Sequence, residues 1–342
     1  MKVAGIEVGD RPLILAPMED VTNPPFRKFC KKYGADWLYS EFVSADALVR
    51  SVNKSLKKLT IDETERPVTI QIYGRFIDSM VEAAKIVEEV RPDFIDINFG
   101  CPVKRVAQKG AGAGMLKDIP LMVEMTRQIV QAVKIPVTAK TRLGWDCEHI
   151  IIEDIAERLQ DVGIQALAIH GRTRSQMYSG EADWEPIARV KQNPRIKIPI
   201  IGNGDIDSPQ KVKEAFERYG VDGVMIGRAT IGKPWIFEQI KHYLSTGEIL
   251  PELSVPAQIE IIKEQILLSM EWLDEVRGLF HMRRHMACMF KGLPHFRDLR
   301  VQMLQAPTIE ELWGVFDQIA ERYGSMDPED LVEEDYFCDL SC

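Results

Sequence analysis

No apolar run in this 342-residue chain approaches the roughly 18 residues that a membrane-spanning helix requires, which argues against a helical membrane protein. The opening stretch M-K-V-A-G-I-E-V-G-D lacks the apolar segment of a secretory leader, so a cytoplasmic location is expected. The six cysteines, Cys30, Cys101, Cys147, Cys288, Cys338 and Cys342, include no C-x-x-C pair. That spacing speaks against structural zinc and against a disulfide framework; no metal site is expected, and each cysteine is read as a free thiol. No G-x-G-x-x-G follows the first predicted strand, which weighs against an open dinucleotide-binding sheet. Internal repeats are missing too, and the only biased tract is residues 326–342, with seven acids and no Lys or Arg. Removing those seven leaves −2 of the net charge of −9, so the acidic total does not exclude a nucleic-acid partner.

What is present is an alternation. Apolar strand-like runs recur at Leu13–Pro17, Ala35–Glu41, Val68–Tyr73, Phe94–Asn98, Val137–Lys140, Ala166–His170, Ile198–Gly202 and Gly223–Ile226. Helical apolar spacing fills the gaps, as in Asp78–Val90, Ile119–Val133, His149–Asp161 and Ser208–Tyr219. Eight such units predict an α/β fold of the (β/α)8 TIM-barrel type, in which the chemistry sits at the C-terminal ends of the strands. After an eighth helix at Ile231–Tyr243 the pattern changes to helices only, at Ala257–Glu275, Leu279–Phe290, Pro294–Leu304 and Ile309–Arg322. The expected organisation is therefore a barrel over 1–244, a linker over 245–256, a small C-terminal helical bundle over 257–325 and an acidic tail over 326–342.

The strand ends carry polar groups throughout. They present Pro17-Met18-Glu19-Asp20, Ser40-Glu41, Gln71, Asn98 with Cys101, Lys140 with Arg142, His170 with Arg172 and Arg174, Asn203-Gly204-Asp205, and Gly227-Arg228. The last two turns have the glycines and the cation that suit a phosphate. Cysteines often pack as small hydrophobes. Cys101, however, is fixed between Gly100 and Pro102 and followed by Lys104, Arg105 and Lys109, so it is read as facing a site beside a basic loop.

A-P-M after the first strand, Gln71, N-F-G-C-P, T-A-K-T-R, I-H-G-R-T-R, I-G-N-G-D-I and M-I-G-R, in that order, resemble the flavin-dependent tRNA-dihydrouridine synthases, closest to the bacterial B-type branch. The resemblance spans most of residues 10–245; the H-M-R-R-H-M stretch resembles the family's C-terminal RNA-binding domain more loosely. It implies FMN across the barrel mouth, held by Pro17, Met18, Glu19, Gln71, Lys140, His170, Asn203, Gly204, Asp205, Gly227 and Arg228. NADPH or NADH would reduce it. It also implies that Cys101 is the general acid giving a proton to uracil C5 as hydride reaches C6. Asn98, Lys104, Arg105, Lys109, Arg142, Arg172, Arg174, Arg283 and Arg284 are expected to meet the tRNA; no protein partner and no membrane contact are implied. Glu19 and Asp20 depart from the family, which more usually has small residues there. Two other readings stay open: a small-molecule FMN barrel oxidoreductase, and an RNA-binding protein without catalysis.

Overall fold

A computed structural model describes residues 1–326. The expected acidic tail, Met326 apart, lies outside them. The chain forms two compact units, one over Met1–Arg228 and a second from Ala229 onward.

In the first unit eight strands close into a parallel barrel: β1 (Leu13–Leu15), β2 (Trp37–Ser44), β3 (Val68–Tyr73), β4 (Phe94–Asn98), β5 (Val137–Arg142), β6 (Leu167–His170), β7 (Ile200–Asn203) and β8 (Gly223–Ile226). They run in sequence order, with β8 closing on β1. Side chains alternate across a strand with period two. Residues Ile14, Trp37, Tyr39, Phe94, Ala166, Ala168, Ile201 and Met225 thus form one buried cluster. Trp37 packs on Phe94 with ring centroids 4.7 Å apart and donates its indole N–H to Thr69 Oγ1 at 2.6 Å. A small antiparallel hairpin, Lys2–Val3 with Ile6–Glu7, comes before β1, and Val3 and Val8 join the same cluster. The N-terminal end of the barrel is filled and closed by apolar side chains. Farther along each strand the alternating set turns polar, with Gln71, Asp96, Asn98, Thr138, Lys140, Arg142, His170 and Asn203, so strand geometry alone gathers these groups toward the opposite mouth.

The helices follow the amphipathic pattern that sets them against the strands. Ile77–Glu89, for example, buries Met80, Ala83, Ala84 and Val87, spaced at three and four residues. A buried ion pair ties the first helix, Pro24–Lys32, to the loop before β3: Arg27 Nη2 lies 2.9 Å from Glu65 Oε2, with both side chains at most 1% exposed. Arg27 also donates to the carbonyls of Thr22 at 3.0 Å and Thr60 at 2.7 Å, so its charge is fully met.

The second unit has helices at Ile236–Thr246, Val255–Leu273, Glu275–Met286, Arg297–Gln305 and Ile309–Tyr323. Ser254, Asp274 and Thr308 cap three of them by accepting from the N–H three residues on. Gly247, at φ +80°, ends the first, and the segment that follows it, expected as a linker over 245–256, is extended only to Ser254. No helix among the described residues is long and apolar enough to cross a membrane. The expectation of free thiols holds for Cys30, Cys101 and Cys147, whereas Cys288 is disulfide-bonded.

Candidate active site

Cys101 stands three residues beyond the end of β4, 7% exposed. Its backbone N–H donates to Asn98 Oδ1 at 2.8 Å, and the N–H of Gly100 donates to the same oxygen at 3.0 Å. The thiol packs with Val106 and Ala111 against Phe42, Tyr73 and Val103. Gly112, at φ +54°, passes under it so closely that a Cβ there would lie 3.1 Å from Cys101 Cβ. Burial pushes the Cys101 thiol above its ordinary range, against smaller opposing effects from the Val103 N–H and Arg142.

Below this loop runs a chain of amides. Asn98 Nδ2 donates to Gln71 Oε1 at 2.7 Å, and Gln71 Nε2 donates to Asp96 Oδ2 at 2.7 Å. Thr138 Oγ1 donates to Asp96 Oδ1 at 2.6 Å. Asp96 is wholly buried, and burial raises it to about 7 despite these bonds. Gln71, expected at the edge of a ring, thus has its amide oxygen and nitrogen each engaged inside the barrel.

Lys140 lies on β5, beside this chain and in register with Asn98, and reaches away from it with Nζ 3.0 Å from Asn203 Oδ1; Asn203 is itself fixed by donating to the Met225 carbonyl at 2.8 Å. Burial, then the neighbouring Arg142, pulls Lys140 down to about 7. His170, on the next strand, is held well below the usual imidazole range by burial and by Arg142 and Lys140, so its ring is neutral. Its Nδ1 is buried and has no hydrogen-bond partner among the described residues. Gly204 takes φ +129°, where a Cβ would meet that of Ala182 at 2.7 Å, and Asp205 follows in the left-handed region at φ +53°. Asp205 accepts from Arg172 at 2.8 and 2.7 Å and from Arg228 at 2.9 Å. Burial would raise its carboxyl, but Arg172, the backbone N–H of Ala182 and Arg228 together outweigh this and hold it low. Arg228 remains 38% exposed beside half-buried Gly227, whose Cα faces Ala16 and Met18.

Pro17, Met18 and Glu19 form the half-buried rim after β1. The acidic departure at Glu19 has a local answer. Lys58 Nζ lies 2.6 Å from Glu19 and 3.2 Å from Glu41, whose other contact is the N–H of Asp20 at 2.9 Å. Burial lowers Lys58, but the two carboxylates outweigh it and keep the amine charged. Glu19, Asp20 and Glu41 are close enough to share a cation, and Lys58 supplies one.

The basic loop after Cys101 is a short helical turn, Lys104–Ala107, that buries Val106 and Ala107 and leaves Lys104, Arg105 and Lys109 exposed. Arg142 and Arg172, expected with them on the RNA side, are at most 3% exposed. Arg142 donates to the carbonyls of Gly100, Thr173 and Met177, and Arg172 to those of Ser179 and Gly180 as well as to Asp205. Guanidinium groups engaged this way brace the wall of the site, and for these two that reading replaces the expected backbone contact. Arg174 is half-buried with its guanidinium 4.8 Å from the Trp145 ring, which Lys117 approaches from 3.8 Å. Arg283 and Arg284 belong to the second unit; Arg283 lies 3.9 Å over the exposed Phe280 ring. Sequence reasoning missed Asp96, Lys58 and Tyr178. Tyr178 is 45% exposed, with Arg142 and Arg228 5.6 and 5.0 Å from its ring. Only Asp96 had a signal, as the lone carboxylate inside an apolar strand.

Comparison with known proteins places this geometry. The model of the family described as dihydrouridine synthase matches residues 14–321. The tRNA-dihydrouridine synthase B of Pseudomonas aeruginosa is 42% identical over 290 residues, covering 85% of this chain and 87% of its own. That of Vibrio vulnificus is 38% identical over 327 residues, covering 94% of this chain and all of its own. Among solved structures, a 2-naphthoyl-CoA reductase superposes with a TM-score of 0.60 at 12% identity, over 95% of this chain and 69% of that one, a likeness of fold.

Proposed function

The chain belongs to the dihydrouridine synthase family, and from that premise we propose that it reduces the C5–C6 double bond of uridines in tRNA, with FMN as its flavin and Cys101 as general acid. The observation that carries this reading is the meeting, at one open end of a closed barrel, of a protonated buried thiol with a neutral imidazole, a depressed lysine and a turn bearing an exposed arginine.

Those residues fit the cofactor. The buried, unpartnered Nδ1 of His170 is a polar atom that a heterocycle's edge would satisfy, and Gly204, Gly227 and Arg228 form a cradle suited to a phosphate. Lys140, Asn203, Pro17 and Met18 complete the set around the ring, and Glu19 enters it only as a pair with Lys58. When bound and reduced by NADPH or NADH, FMN supplies a hydride to uracil C6. Cys101 gives its proton to C5 and takes one back from solvent, so the double bond gains one hydride and one proton. A thiol raised by burial is protonated at neutral pH and needs no partner to make it an acid. Asn98 orients the Cys101 loop, and Arg142 fixes the carbonyl of Gly100 beside it. Lys104, Arg105, Lys109 and Arg174 meet the RNA backbone, with Arg283 and Arg284 of the second unit adding to the charge that draws tRNA in. A stacked uracil cannot reach the mouth, so the base enters flipped or unpaired.

The test is direct. Purified protein with FMN and NADPH is incubated with unmodified tRNA, and dihydrouridine is measured by mass spectrometry of the digested nucleosides. Dihydrouridine that depends on both additions is expected; its absence while the flavin is demonstrably reduced would overturn the proposal.

A further inference from the structure

The amide chain under Cys101 has a direction, and Asp96 sets it. An ionised carboxylate can only accept hydrogen bonds. Asp96 is in that form above its value of about 7, and there it requires the NH2 of Gln71 to face it, 2.7 Å away. The Gln71 oxygen must then face Asn98, which answers with its own NH2 at 2.7 Å. That leaves Asn98 Oδ1 toward the loop, where it accepts the N–H groups of Gly100 and Cys101 at 3.0 and 2.8 Å. Reversing either amide would set donor against donor at a buried position, which costs about 1–3 kcal/mol for each group left unmet. The register places Gln71 opposite Asp96 on neighbouring strands, and Asn98 two residues on along β4, so the chain climbs the barrel wall from the interior to its mouth.

We propose that Asp96 is a positioning residue for the reaction: through Gln71 and Asn98 its carboxylate orients the loop that carries the Cys101 thiol. This rests on the reading of Cys101 as the acid only for its kinetic consequence; the geometric consequence stands without it. Asp96 is wholly buried, and its side chain bonds to Gln71 and Thr138.

Two variants test it, Asp96→Asn and the swap Asp96→Asn with Gln71→Glu. In Asp96→Asn the new NH2 must face Gln71 or Thr138. Facing Gln71, it passes a donor conflict up the chain to the Cys101 loop; facing Thr138, it takes that hydroxyl's acceptor away. In the swap, the amide at 96 accepts from Thr138 and donates to the carboxylate at 71, which still accepts from Asn98, so every direction is restored. The first readout is the alkylation rate of each thiol by iodoacetamide in flavin-free protein. Exposed Cys147 serves as the internal standard, and buried Cys30 reports loss of the fold.

Asp96→Asn is expected to speed Cys101 alkylation about tenfold, as follows from losing one to two hydrogen bonds at the loop, with Cys147 unchanged and Cys30 protected. The swap is expected to return Cys101 to within about threefold of the original rate. Single-turnover dihydrouridine formation should fall about tenfold in Asp96→Asn and recover in the swap. Unchanged Cys101 alkylation in a third variant, Asp96→Leu, which leaves the Gln71 NH2 no acceptor to face, would overturn the proposal, and so would a swap no closer to the original than an Asp96→Asn variant that is itself altered. If Asp96→Asn exposes Cys30 as well, the swap decides alone: a protected Cys30 with a slow Cys101 supports the relay, and a fast Cys101 refutes it. Should the unaltered protein make no dihydrouridine, the functional reading falls, while alkylation still decides the relay.

Discussion

The sharpest consequence of the site concerns the protonation state of Cys101. A general acid that is removed costs about 10²–10⁴-fold in rate, or roughly 3–5 kcal/mol of transition-state stabilisation. Cys101→Ala is therefore expected to lose uridine reduction by at least about a hundredfold, while flavin reduction by NADPH, which needs no proton from this thiol, proceeds as before. The pH profile adds a signature of role. An ordinary thiol, with a pKa of about 8.5, is roughly half ionised at pH 8.5 and would have lost half its acid form there. Burial at 7% exposure pushes Cys101 higher, so its working form must be more than half present at that pH. The assay is single-turnover: reduced enzyme is mixed with unmodified tRNA from pH 6 to 9, and dihydrouridine is quantified against time. Loss of the thiol's acid form should lower the rate by no more than about twofold between pH 7.5 and 8.5. A rate climbing about tenfold per pH unit would mean that the thiolate is the working form, as for a nucleophile, and would refute the reasoning; so would a Cys101→Ala variant that reduces uridine at the original rate.

Three further expectations follow from other residues. Glu65→Ala strips the partner from an Arg27 that is 1% exposed and should cost about 3–5 kcal/mol in a urea titration; a loss under 1 kcal/mol would show that the buried charge finds another partner. Lys140 has a folded value near 7 against about 10.5 unfolded, so between those limits the unfolded chain holds a proton that the folded chain lacks. Stability from this group therefore rises with pH across that window, and flavin-free Lys140→Met should lack that slope in melts from pH 7 to 10. Replacing exposed Lys104, Arg105 and Lys109 by Ala should weaken tRNA binding and reduce its salt slope by about two to three, measured as the dissociation constant from 50 to 200 mM salt; an unchanged slope would remove that turn from the interface.

The barrel was legible because every strand has the same grammar: an apolar run that fills the interior, then a polar residue or glycine where the strand leaves it. Phe94, Asp96 and Asn98 show both the success and its limit. Period-two alternation puts all three inside, but nothing local says that Asp96 faces Gln71, 25 residues earlier, or Thr138, 42 residues later. Charge misled for a similar reason. Arg172 and Arg174 look alike in I-H-G-R-T-R, yet one is buried against Asp205, 33 residues on, and the other lies half-buried along Trp145. A basic residue advertises its charge in the sequence and conceals its partner. Glu19 is the mirror case: an acid that looks out of place beside a flavin until Lys58, 39 residues away, closes on it.

The hairpin at Lys2–Glu7 and the aromatic filling above it give the barrel a floor. A vessel with a floor has one doorway, so under the proposed function the electron donor and the nucleoside would approach from the same side, and a donor that lingered there would stand in the way of the RNA.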